Sequence, residues 1–141
     1  MNILFFLKPK SDVAFIYDDE TLRQVLEKME FHRYSSIPVI SRKSGKYVGS
    51  ITEGDLLWYI KNKFELSVHD AEAISIQSVT RKRDNLPVSV NSNMEDLIEK
   101  VTNQNFVPVI DDNKCFIGII TRKDVIQYLC KQANEEKREI M

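Results

Sequence analysis

The chain has 141 residues, 43% of them apolar and 29% charged, with four glycines and four prolines; this make-up excludes collagen-like, low-complexity and disordered classes and fits one folded domain. A net charge of −1 supplies no overall field toward DNA, RNA or an anionic bilayer, so neither nucleic acid nor membrane is an expected partner. The apolar run Ile3-Leu4-Phe5-Phe6-Leu7 is too short to span a bilayer and lacks the basic flank and small-residue site of a signal peptide. Cys115 and Cys130 have no CxxC spacing, and a reducing cytoplasm is the expected location.

In chain order, Val13-Ala14-Phe15-Ile16 predicts a short strand. Leu22, Val25, Leu26 and Met29 then form an i, i+3, i+4, i+7 stripe behind the cap candidates Asp18 and Asp19, which predicts an amphipathic helix. Two apolar strands follow, Ser36 to Ile40 and Tyr47 to Ile51, joined by the polar turn Arg42-Lys43-Ser44-Gly45. A helix opens at Thr52. Its turn Leu56-Leu57-Trp58-Tyr59-Ile60 is apolar all round, which predicts burial on more than one side. Ser67 and Asp70 have capping-box spacing and predict a short helix in the connecting stretch. The same order then recurs: strand Val88-Ser89-Val90, a stripe Met94, Leu97, Ile98, Val101 behind Asn91 to Asn93, strands Phe106 to Ile110 and Phe116 to Ile120, and a helix from Thr121. Lys131 to Arg138 reads as a solvated helix extension or a frayed end.

The chain therefore divides into a first repeat with its N-terminal segment (1–63), a linker (64–86), a second repeat (87–131) and a charged tail (132–141). Each repeat is β-α-β-β-α, giving an α/β fold. Repeats this small leave much surface exposed, so the two are expected to pack on each other. Matching Ile16 to Val90 gives 22 positions to the proline of the first repeat and 18 in the second, as though the second lacked one helical turn.

The repeated Thr-x-x-Asp, Thr52 to Asp55 and Thr121 to Asp124, has two readings. It is a capping box that satisfies free N–H groups at a helix start. It also leaves a positive helix end where a phosphate is readily held, with the threonine hydroxyl as donor and the aspartate as acceptor for ribose hydroxyls. Arg122 and Lys123 make the second copy basic where Glu53 makes the first acidic, so phosphate is expected to prefer the second copy. Arg81-Lys82-Arg83 adds charge there or is merely solvated. Tyr34 and Phe106, just before the proline strands, either stack on a base or pack in the core.

The paired pattern Pro38-Val39-Ile40 with Val48-Gly49-Ser50-Ile51-Thr52-x-x-Asp55, and Pro108-Val109-Ile110 with Ile117-Gly118-Ile119-Ile120-Thr121-x-x-Asp124, resembles two tandem CBS domains, a Bateman module of the stand-alone bacterial type. The resemblance covers about Val13 to Tyr128. It implies a pseudo-twofold disk with two clefts that take adenosine ligands such as AMP, ADP, ATP, cyclic di-AMP or S-adenosylmethionine, and commonly a homodimer. Carried over, it implies Thr52, Asp55, Ile37 and Ala14 in one cleft and Thr121, Asp124, Val107 and Val88 in the other.

The resulting expectation is a non-enzymatic regulatory module with no metal or resident cofactor, binding an adenine nucleotide and reporting it to an unidentified protein. Leu56 to Ile60, with Val125, Ile126, Tyr128 and Leu129, offers apolar surface for a homodimer. The chain has no GxSxG, HExxH or P-loop, and His32 and His69 stand in no ligand spacing. The alternatives are a small enzyme that transfers or hydrolyses phosphate in the same cleft, and a scaffold without ligand.

Overall fold

The computed structural model describes residues 1–63 and 67–140; the first three linker positions after 63 and the last residue of the tail lie outside them. The elements are β1 (Lys8–Pro9), β2 (Ile16–Tyr17), α1 (Leu22–His32), β3 (Ser36–Ile40), β4 (Tyr47–Thr52), α2 (Glu53–Lys61), α3 (Val68–Ala71), β5 (Val88–Ser89), α4 (Met94–Asn103), β6 (Phe106–Ile110), β7 (Phe116–Thr121) and α5 (Arg122–Ile140). One sheet runs β2-β3-β4 and the other β1-β7-β6-β5. In each, a parallel pair, β2 with β3 or β5 with β6, precedes an antiparallel hairpin, so both repeats are β-α-β-β-α as the motif order predicted.

Local chemistry sets the helix starts. Thr21, not Asp18 or Asp19, caps α1, in a reciprocal box with Gln24. The two aspartates hold the hairpin instead: Asp18 accepts the Arg42 N–H and Asp19 pairs with the Arg42 guanidinium. Asn93 caps α4 with Asp96, and Ser67 caps α3 with Asp70 as its spacing predicted. Helix α5 runs unbroken to Ile140, so the charged tail is a helix extension.

Val88 pairs with Val109 as Ile16 pairs with Val39. Val88, not Val90, is thus the counterpart of Ile16, and the second repeat is shorter by two residues rather than by a helical turn.

Each sheet packs one face on its helices. Ile16, Leu22, Val25, Ile37, Ile51 and Leu56 make the first core, and Val88, Leu97, Val107, Val109, Ile120 and Val125 the second. The segment ahead of each repeat completes the core of the other. Ile3 and Phe6, grouped with the first repeat by chain order, sit in the second core, while Ala71, Ile76 and Val79 of the linker sit in the first. Strand β1 extends this exchange by pairing with β7, Lys8 opposite Ile119 and Pro9 opposite Gly118. The duplicated glycine has its reason here: a Cβ on Gly118 would collide with the Lys8 carbonyl, and one on Gly49 with the Asp84 and Arg81 side chains.

Lys46 and Cys115, equivalent positions in the two hairpins, form an antiparallel bridge. Tyr47 N–H donates to Lys114 O (3.2 Å) and Phe116 N–H to Gly45 O (2.9 Å). The equivalent rings Tyr47 and Phe116 stack with centroids 6.3 Å apart. Equivalent residues touching each other are the mark of a twofold axis, so the repeats are related by pseudo-twofold symmetry.

One expectation fails. Only Leu56 and the half-buried Tyr59 and Ile60 of the apolar turn are covered; Leu57 is 58% and Trp58 47% exposed. Helix α2 presents one face to its own core and leaves the opposite one open, because the second repeat packs through hairpins rather than over this helix.

Candidate functional site

A cleft of about 340 Å³ lies between the repeats. The first repeat contributes Ala14, from the extended segment before β2, and Tyr34, Ser36 and Pro38 at the start of β3; the second contributes Phe106 of β6 and Ile119 and Thr121 of β7. Lys8, Asp12 and Arg33 stand at its edges. The left-handed conformation of Arg33 (φ 57°) ends α1 and turns the chain into the Tyr34 wall.

The polar groups of this cleft are underused. Ser36 Oγ is buried without a hydrogen-bond partner among the described residues. Thr121 Oγ1 accepts the Asp124 N–H at 3.3 Å, the capping half of the box, but the Asp124 carboxylate does not return to the Thr121 backbone. It lies 3.7 Å from Lys8 Nζ, and its side chain is 34% exposed. A hydroxyl at a helix start, two cations and the Asp12 carboxylate thus line the cleft, with the acceptor-only Asp124 carboxylate beside Lys8.

The symmetry-related positions are closed. Asp55, 6% exposed, completes the capping box: one oxygen accepts the Thr52 N–H (3.0 Å), the other the Lys82 N–H (3.2 Å). Ser50 Oγ accepts the Asn85 N–H (2.7 Å), and Asp84 accepts the Ser50 N–H (2.9 Å). Tyr47 donates to Asn85 O at 2.7 Å; burial, before any other cause, pushes its hydroxyl well above the usual tyrosine range. Among the described residues, the polar residues buried as a whole are Ser50, Asp55 and Gln104, all at this closed side.

The structure brings Ala14, Tyr34, Phe106 and Thr121 together, with Asp124 alongside, but across the dyad. The wall of one repeat faces the Thr-x-x-Asp turn of the other, whereas the sequence reading grouped each turn with its own repeat. Ile37, Val107 and Val88 are buried in the two cores instead. Arg122 does not face the cleft: its Nε donates to Val101 O (2.7 Å) and Gln104 O (3.1 Å), satisfying carbonyls at the end of α4. Arg81 bonds Asp84 at 2.8 Å on the closed side. Lys8, Asp12, Arg33 and Ser36 escaped the sequence reading. The available signal for Arg33 and Ser36 was their place on either side of Tyr34, already singled out before the proline strand, whereas no local pattern marks Lys8 and Asp12.

The CBS domain family matches residues 6–62 and 76–131, and the chain belongs to that family. The crystal structure of CbpB in complex with c-di-AMP is similar at a TM-score of 0.83 and 27% identity, covering 99% of this chain and 91% of that one. CbpB from Streptococcus agalactiae is similar at 0.78 and 28% identity over 97% and 85% of the two chains. A hypothetical conserved protein from Geobacillus kaustophilus aligns at 0.81 and 25% identity, covering 94% and 98%. An uncharacterised protein of Methanocaldococcus jannaschii is 23% identical over 135 residues, 89% of this chain and 48% of its own length. One of Methanopyrus kandleri is 29% identical over 127 residues, 85% and 61%. The chain thus spans about half to three fifths of these curated relatives.

Proposed function

We propose that this chain is a non-enzymatic regulatory module that binds an adenine nucleotide, AMP, ADP, ATP or cyclic di-AMP, in the open cleft and reports its occupancy to a protein partner. The observation that carries this is the Ser36 hydroxyl, buried and unpaired on a wall opposite Thr121. A buried polar atom without a partner is costly, and a ligand that supplies one recovers that cost. The base lies between Ala14, Tyr34 and Phe106, the Asp124 carboxylate accepts the ribose hydroxyls, and phosphate meets Thr121 and the start of α5, with Lys8 and Arg33 as cations. The c-di-AMP complex of the similar CbpB supports an adenine ligand. Because the cleft takes its walls from both repeats, a ligand that grips both favours one relative orientation, and a partner that reads this orientation receives the signal.

The exposed Leu57 and Trp58 of α2, with Ile126 and Leu129 of α5, provide apolar surface for a homodimer, which light scattering tests. The free thiols Cys115 and Cys130 fit work in a reducing cytoplasm.

The deciding experiment is isothermal titration with adenosine, AMP, ADP, ATP and cyclic di-AMP, with chromatography of the ATP sample for products. Saturable binding without turnover is expected. Nucleotide at 100 times its Kd then adds about 2.7 kcal/mol to stability. Binding of none of the five defeats the proposal, and conversion of ATP makes the chain an enzyme.

A further inference from the structure

The twofold relation that places Ala14 in the open cleft places Leu86 at the equivalent position of the other, since each stands two residues before the matched pair Ile16 and Val88. It likewise relates Tyr34 to Gln104, each two residues before its proline strand. The Gln104 side chain, 9% exposed, accepts the Leu86 N–H on Oε1 at 2.7 Å and donates from Nε2 to Leu86 O at 3.0 Å. One planar amide thus takes up both the donor and the acceptor of a single residue's backbone. An acceptor beside a donor on a flat group is also what the N1 and N6 edge of adenine offers. In the open cleft the Ala14 N–H and C=O have no hydrogen-bond partner among the described residues. We infer that the second cleft is a latent adenine-nucleotide site held shut from within, the Gln104 carboxamide occupying the place of a base edge, so that each chain takes up one nucleotide.

The surrounding bonds agree with this role. Gln104 Nε2 and Asn85 Nδ2 both donate to Phe106 O, at 3.2 and 3.0 Å, and fix the amide's plane against β6. Lys82 N–H lies on the Asp55 carboxylate at 3.2 Å, a contact made by the same 82–86 segment that the Gln104 amide holds at Leu86, so releasing Leu86 is what frees this acceptor for a ribose. The Gln104 contact itself carries no charge, since a carboxamide is neutral at every pH a protein tolerates.

The inference rests on the proposed function of the open cleft, and the test separates the two. Amide hydrogen exchange without nucleotide is compared for wild type, Gln104→Ala and Gln104→Glu; the second variant keeps the side chain's shape but cannot donate to Leu86 O when ionised. The Leu86 amide is expected to exchange slowly in wild type and at least about tenfold faster in both variants, while Ala14 exchanges fast throughout. Titration with AMP is expected to give one site per chain in wild type, lost with Asp124→Ala, and two in the variants, the added site surviving Asp124→Ala. Unchanged Leu86 exchange, or a variant that still takes up one AMP, overturns the inference. Faster Leu86 exchange in variants of a chain that takes up no AMP at all defeats the proposed function and the latent site with it, leaving Gln104 as a structural amide alone.

Discussion

The two clefts come from one duplicated motif, yet one is open and the other is bonded shut. Asp124 and Asp55 occupy the same position of the same helix turn, but the first is partly exposed beside a lysine and the second is buried with both oxygens taken by backbone N–H groups. The segment that crosses each sheet makes the difference. Residues 8–14 bond β7 as a two-residue strand only, whereas residues 82–86 bond Asp55, Ser50 and Gln104 in succession. A capping box and an anion site are thus alternative uses of the same four residues, decided by which chain segment lies over them.

The sharpest break of this comparison is the pair of alanine substitutions. Asp55→Ala leaves two N–H groups without acceptors and is expected to lower stability by about 2–4 kcal/mol, with nucleotide affinity unchanged. Asp124→Ala is expected to cost roughly 1.5–3 kcal/mol of binding, at least tenfold in Kd, with stability almost unchanged. Urea unfolding and titration of both variants check this, and equal effects in the two would erase the distinction. Next comes Arg122→Glu. Because the guanidinium holds carbonyls of α4, a loss of about 1.5–3 kcal/mol of stability is expected, and AMP and adenosine should weaken alike. A selective loss of AMP would return this side chain to the cleft.

The glycines distinguish the sides more finely. Gly118→Ala meets backbone, the Lys8 carbonyl, and is expected to cost about 2–3 kcal/mol, whereas Gly49→Ala meets the Asp84 and Arg81 side chains, which can move, and should cost about 1 kcal/mol. Thermal unfolding ranks them. The smallest effect belongs to Tyr47→Phe, which loses one hydrogen bond worth about 1 kcal/mol on the closed side. The folded protein holds this hydroxyl above its unfolded value near 10, so its contribution is full below that pH and declines as pH rises past it. The phenylalanine variant should therefore lose less stability than wild type between roughly pH 9 and 11 in urea titrations.

The fold was legible because the duplication repeats its strand pattern, its glycine and its Thr-x-x-Asp in register, with periodicity placing α1 and α4 and cap residues placing α2, α3 and α5. The cleft was legible only in part. Ala14, Tyr34, Phe106 and Thr121 line it and Asp124 stands beside its Lys8, but a local motif carries no information on which repeat faces which across an axis. The orientation of Arg122 depends on carbonyls eighteen and twenty-one positions away. Val88 was displaced by counting from Val90, an ambiguity that only strand pairing resolves. The apolar turn of α2 looked buried because composition reports how much apolar surface exists, not whether the same chain covers it.

Lys8 is synthesised long before Ile119, yet the two pair in one ladder. During translation β1 therefore waits, with Ile3 and Phe6 uncovered, until β7 has left the ribosome. The first core can close earlier, since Ile76 and Val79 follow it directly. Folding should run from the first repeat to the second, with a slow final step set by the long loop between β1 and β7. A chain cut near residue 65 would leave each fragment holding the segment that the other needs, so two such fragments should remain unfolded apart and assemble on mixing.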